Sequence, residues 1–174
     1  MTRGGPRSGR GPRTRRTRHR DRTATRRKLA DPTPLDIAAR LLGRSGLTEA
    51  VLQDRLVARG YQPETAARTV ARCRELGYVS DERLALDRAR ALRARGAGSL
   101  KIAADLSARG LSDSLVAAAV ESSLAGESEE AWARRALASA GQPSGGKAWR
   151  LLAGRGFPED VLCDVLGEPT FSGG

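Results

Sequence analysis

One six-residue phrase occurs three times in this chain and restricts its fold more than any other feature. It reads Leu56-Val57-Ala58-Arg59-Gly60-Tyr61, then Leu106-Ser107-Ala108-Arg109-Gly110-Leu111, then Leu152-Ala153-Gly154-Arg155-Gly156-Phe157. Each copy is Leu, a run of small or aliphatic residues, Arg-Gly and a large apolar residue. Gly can take the left-handed conformation that closes a helix, and the apolar residue after it folds back on the last turn. Each copy therefore reads as a helix end and a short turn into another helix. The Arg-Gly pair steps by 50 and then by 46 residues, a period that marks a supersecondary unit used repeatedly.

Start and stop signals divide the rest of the chain consistently with that period. Asp31-Pro32-Thr33-Pro34 opens a helix running from about Leu35 to Arg44. Thr48 caps a second helix, and Gln62-Pro63-Glu64 opens a third, with Ala67, Val70, Ala71 and Cys73 or Arg74 near its inner edge. Gly77 ends it. Ser80 or Asp81 caps the next helix, which runs to about Arg95 with Ala85, Ala89 and Leu92 on one face. Ser99 caps a helix carrying Ile102 and Leu106, and Ser112-Asp113 starts one carrying Leu115, Val116, Ala119 and Val120. Ser128-Glu129-Glu130, a short helix with Trp149, and Pro158-Glu159-Asp160 mark the last three helices. Trp132 and Trp149 sit at helical core spacing. The expected fold is all-α: an elongated array of three tandem three-helix repeats. Residues 34–79, 80–126 and 127–168 form the repeats, the last shorter, with residues 1–33 as a basic arm and 169–174 as a tail. Aromatics are only 3% of the chain, which suits thin Leu/Val/Ala interfaces better than one thick core.

Charge divides along the same boundary. Residues 1–30 hold twelve of the 31 Lys and Arg and one of the 20 acids, a net of +11; the remainder holds nineteen of each and is neutral. The arm has almost nothing apolar, so it cannot bury enough surface to offset chain entropy and is expected to be disordered. Two readings of it stay open. It is either a solubilising tail or start-codon artefact, or a nucleic-acid-binding arm. In the second reading Arg13, Arg15, Arg16, Arg18, Arg20, Arg22, Arg26, Arg27 and Lys28 attract phosphate through counterion release.

The folded part argues against catalysis. It has no glycine-rich phosphate loop after a strand, no metal spacing and no nucleophile placed beside a base. Cofactors and metals are accordingly expected to be none. Asp81-Glu82 reads as a helix N-terminus, where acids suit the dipole. Cys73 and Cys163 read as buried or half-buried thiols in a reducing compartment. No stretch approaches the ~20 apolar residues of a membrane span, and the expected location is the cytoplasm. The densest basic surface of the folded part is Arg83, Arg88, Arg90, Arg93, Arg95, Lys101 and Arg109, with Arg88 and Arg95 forming an exposed row. It reads either as a solvated face or as a strip for phosphates or an acidic protein surface.

At these residues the chain resembles the RecX family of recombinase regulators. The stretch that carries the likeness is Gly77-Tyr78-Val79-Ser80-Asp81-Glu82-Arg83-Leu84-Ala85, then Arg90, Arg95-Gly96-Ala97-Gly98, Lys101-Ile102 and Leu106-Ser107-Ala108-Arg109-Gly110-Leu111. Leu42, Leu56, Arg59-Gly60-Tyr61 and Arg155-Gly156-Phe157 extend it more weakly, over about residues 35–167. Two positions depart from the family pattern. Leu84 stands where an aromatic is common, and Arg88 where an aromatic or large apolar residue is common. The long stem of Arg88 can lie on the core edge with its head in water. The resemblance implies a non-catalytic modulator of RecA, docking on the RecA–single-stranded-DNA filament and restraining its growth, ATP hydrolysis and strand exchange; a monomer is expected. A general DNA-binding protein driven by the arm is the alternative.

Overall fold

A computed structural model describes residues 32–43 and 46–167; the basic arm before residue 32 and the tail after 167 lie outside the described residues. Among those described, the secondary structure is helical throughout. The helices are α1 (Pro34–Leu42), α2 (Glu49–Val57), α3 (Pro63–Glu75), α4 (Asp81–Ala94), α5 (Ser99–Ser107), α6 (Asp113–Ser123), α7 (Glu129–Ser139), α8 (Gly145–Arg155) and α9 (Glu159–Leu166). They pack in threes around separate apolar clusters. Leu41, Leu52, Leu56, Val70 and Cys73 fill the first. Ala85, Ala89, Ile102, Leu106 and Val116 fill the second. Leu152, Phe157, Val161 and Leu162 fill the third, with Trp132 and Trp149 half-buried against it. Each fully buried Leu or Ile contributes roughly 1.5–3 kcal/mol, so cores of this size hold only a few helices each.

The caps explain where the helices start. Thr33 and Asp36 form a reciprocal capping box on α1. Thr48, Ser80 and Ser128 accept from Val51, Arg83 and Ala131 N–H at the heads of α2, α4 and α7. At the other end, the phrase glycines are all left-handed, with φ of +90° at Gly60, +77° at Gly110 and +79° at Gly156. Leu111 and Phe157, the apolar residues after two of them, are buried. Three expectations need correction. The N-cap of α5 is Gly98 rather than Ser99, which is the first residue of the helix. The first helix stops at Leu42 rather than Arg44, with Gly43 as its C-cap. On α3 the inner face is Ala66, Thr69, Val70 and Cys73, while Ala67 is exposed. A polar Thr69 can sit inside because its hydroxyl donates to the Thr65 carbonyl at 2.7 Å.

The repeated phrase also joins the repeats. The Arg109 carbonyl accepts from Thr48 Oγ1 at 3.0 Å. One repeat later, the carbonyls of Arg155 and Gly156 accept from the N–H groups of Gly98 (2.8 Å) and Leu100 (3.0 Å). The second and third copies of the phrase thus each sit on the N-terminus of the middle helix of the repeat before. An acid completes both joints. Asp81, the first residue of α4, accepts from Glu49 N–H at 2.9 Å. Glu129, the first residue of α7, accepts from Ser99 N–H at 2.8 Å. The amides at the start of a helix lack partners within it, and a carboxylate there also meets the positive end of the dipole. Asp81 is free to reach across because Ser80 takes the cap of α4.

Contact at the second joint is so close that a side chain cannot enter. A Cβ on Gly98 would overlap the Gly156 carbonyl, and one on Gly156 would lie 2.5 Å from Lys101 Cβ. Gly98 has an ordinary φ of −81°, where Gly→Ala normally stabilises by about 0.4–1 kcal/mol. Gly98→Ala should instead lower stability by about 2 kcal/mol or more, since backbone, not a flexible side chain, must move. Urea unfolding compares it with Gly60→Ala, whose φ of +90° strains the backbone but whose Cβ would meet nothing within 4 Å; that change should cost about 1 kcal/mol. A Gly98→Ala midpoint at or above that of the parent would refute the close joint.

Candidate functional site

The basic residues of the middle repeat do not form one strip. Helix α4 and its C-cap Arg95 carry five of them, and a helix distributes five positions around its whole circumference. Arg90, Arg95 and Lys101 are exposed and form no ion pair with any described residue. Arg83 is exposed, its Nη2 donating to the Gly77 carbonyl at 3.4 Å.

Arg93, expected on the surface, is 1% exposed. Its Nη1 meets Glu129 Oε2 at 2.8 Å and its Nε donates to Ser123 Oγ at 3.3 Å. Glu129 therefore holds Arg93 with one oxygen and the head of α5 with the other. Nη2 of Arg93 is buried without a partner among the described residues. A residue so placed belongs to the joint between the second and third repeats. Removing one member of such a pair strands the other, at a cost of roughly 3–5 kcal/mol.

Arg88 and Arg109 are held by Asp105. Arg88 makes a bidentate pair, Nε to Oδ2 at 2.9 Å and Nη2 to Oδ1 at 2.7 Å, and Arg109 Nε reaches Oδ2 at 3.0 Å. The expected exposed row of Arg88 and Arg95 is corrected accordingly: Arg88 is half-buried and clamped. The hydrogen bond from Arg88, reinforced by Arg109, pulls the Asp105 carboxyl down to about 2 against an ordinary 3.8, although partial burial opposes this. Asp105 was legible only as a residue four before Arg109; its partner seventeen residues away was not.

The clamp borders a groove of about 600 Å³ between the first and second repeats. Leu42, Leu47, Val79, Leu84 and Ala91 make its apolar surfaces, and Arg83, Asp87, Arg88 and Arg109 its polar ones. Tyr78 lines it too, and is 56% exposed. The nine basic arm residues Arg13 through Lys28 named above lie outside the described residues. No described helix is long and apolar enough to cross a membrane, and no group of described His, Cys, Asp or Glu is placed to hold a metal.

Three-helix units joined in tandem through the carbonyls of a repeated phrase define a class of all-α helical-repeat protein. Comparison with known proteins makes the family definite. Residues 35–73 match the family model described as RecX, first three-helix domain. The chain is 37% identical over 136 residues to regulatory protein RecX of Chromohalobacter salexigens, covering 73% of this chain and 86% of that one. It is 34% identical over 145 residues to regulatory protein RecX of Stenotrophomonas maltophilia, covering 80% and 89%. In fold it is similar to the crystal structure of RecX from Lactobacillus salivarius, with a TM-score of 0.61 at 17% identity over 76% of this chain and 91% of that one. The chain belongs to the RecX family.

The clamp has a definite pH signature. Asp105 has a folded value below its unfolded one, so its contribution is complete above about 3.8 and is lost as pH falls toward about 2. Allowing for partial solvent screening at the two arginines, the contribution is about 1–2 kcal/mol at neutral pH. Asp105→Asn should therefore be less stable than the parent by about that amount at pH 7, and the gap should close near pH 2. Urea unfolding at the two pH values checks this; a gap that persists in acid would place the loss elsewhere.

Proposed function

We propose that this chain regulates homologous recombination by binding RecA, or the RecA–single-stranded-DNA filament, and restraining its ATPase, filament growth and strand exchange. The observation that carries this is the relation to proteins named regulatory protein RecX over most of both chains. The exposed cations Arg90, Arg95 and Lys101 support it, because they are available to an acidic or phosphate-bearing surface. Arg83 and the Asp105-held pair Arg88 and Arg109 belong to the same repeat, and the buried Arg93 is left out of the interface. The protein acts in this reading without a cofactor of its own, as a monomer in the cytoplasm, and the nucleotide hydrolysed belongs to RecA.

The excess of +11 in residues 1–30 favours a second role. The arm adds DNA affinity by neutralising the phosphates of the DNA, whatever the folded part does. If it contacts about five phosphates, DNA binding should fall with salt at a slope of about −3.5 to −4.5 in log–log form. RecA ATPase on single-stranded DNA, titrated with the full chain, with a chain lacking residues 1–30 and with an Arg90→Ala/Arg95→Ala/Lys101→Ala variant, separates the two roles. Three exposed cations at about 0.5 kcal/mol each correspond to roughly a tenfold rise in the half-inhibiting concentration, without loss of stability. Inhibition that survives deletion of the arm assigns regulation to the repeats. Inhibition that vanishes with the arm and ignores the triple variant assigns it to DNA binding.

A further inference from the structure

The two joints between repeats are built from the same phrase but leave different surfaces. At the second joint Arg155 crosses onto α7: its Nη1 donates to the Ala136 carbonyl at 3.1 Å and lies 2.9 Å from where a Cβ on Gly96 would stand. The Arg155 side chain therefore fills the space beside that joint. Its counterpart in the middle repeat, 46 residues earlier, is Arg109, which does not cross. Asp105, one helical turn before it, accepts from it and from Arg88. The same offset places Leu151 where Asp105 stands, and the 48-residue offset from Asp81 to Glu129 places Ala136 where Arg88 stands. Repeat three thus lacks both partners of the clamp. At the first joint Arg109 lines the open groove while paired with Asp105.

We propose that this groove, at the joint of the first and second repeats, is a docking site for a protein segment that presents an apolar side chain next to a carboxylate. Leu42, Leu84 and Ala91 offer an apolar bed, backed by the buried Leu47 and Val79, and Tyr78 is a largely exposed aromatic residue beside it. A guanidinium has five N–H donors; Arg88 gives two and Arg109 one to Asp105, so both retain donors for a further carboxylate. Arg83, Arg88 and Arg109 outnumber Asp87 in the lining, which suits a carboxylate on the arginine side. The apolar lining selects a protein over a nucleic acid, because a protein segment has an aliphatic side chain to bury there and a phosphate backbone has none. The site deepens the filament-binding reading and rests on it.

The test uses the full chain and RecA–single-stranded-DNA filaments held with a slowly hydrolysed ATP analogue. Ala91→Trp fills the groove from an exposed helix position, and Tyr78→Ala removes its aromatic; neither residue belongs to a core. Both variants should melt within a few degrees of the parent and bind filaments at least tenfold more weakly, while binding a bare oligothymidylate as the parent does. Parental filament affinity in both overturns the groove and leaves the filament reading standing. Equal losses on filament and on oligothymidylate also overturn it, since the occupant is then nucleic acid. A parent chain that binds no filament removes the filament reading and this inference with it. Asp105→Leu gives a further check: by releasing Arg109 to cross as Arg155 does, it should weaken filament binding in the same direction.

Discussion

The amide groups at the head of each middle helix set the terms for the rest of the molecule. A helix leaves its first N–H groups without internal acceptors, and in α5 the cap position is Gly98, which has no side chain to supply one. The acceptors come from the next repeat: carbonyls of the Arg155-Gly156 phrase and the carboxylate of Glu129. The first joint repeats the arrangement with Thr48, Arg109 and Asp81. Joining through main-chain groups suits a chain with only 3% aromatic residues, because it needs little bulk between neighbours. It demands instead that backbones approach closely, which explains glycine on both sides of the second joint. Gly60, in the first copy of the phrase, has nothing within 4 Å of a would-be Cβ and serves only to end its helix.

Burial sorts the arginines that composition alone treats as equivalent. Arg93 is interior because Glu129 is already fixed at the head of α5, so an ion pair at the joint uses an oxygen that is held in place. Its desolvation is offset by the pair and by Ser123 Oγ. Arg88 and Arg109 converge on one carboxylate, and a shared partner restrains two long side chains together. Arg83, Arg90, Arg95 and Lys101 remain as exposed cations.

The sequence made the helices legible because each boundary is chemically marked. Thr48, Ser80 and Ser128 cap as their residue types suggest, and the phrase glycines take the left-handed conformation that their positions imply. The face of α3 was missed by one residue because Thr69 looks polar, yet satisfies itself on Thr65. The joints were not legible, since a carbonyl of Arg155 leaves no trace in side-chain pattern. Nor was the interior placement of Arg93: its position on α4 is compatible with either side of the helix until Glu129, 36 residues on, is brought against it. The exposure of Tyr78 was likewise hidden, because an aromatic after a helix-ending glycine usually folds inward.

Arg88 shows how one departure from a family pattern becomes tolerable. A charge in place of an apolar contact would be destabilising on α4 by itself, since half-burial removes water from a guanidinium without replacing it. Asp105 supplies the replacement with two oxygens in the geometry that a guanidinium fork fits best. The carboxylate stays ionised well into acid because Arg88 hydrogen-bonds to it, reinforced by Arg109 one turn further on. The three residues therefore stand or fall together. Replacing Arg88 with an apolar side chain would restore the family pattern on α4 but leave Asp105 with half of its partners. That interdependence makes the clamp a single element of the middle repeat, and places the choice of which way Arg109 turns in Asp105 rather than in the repeated phrase.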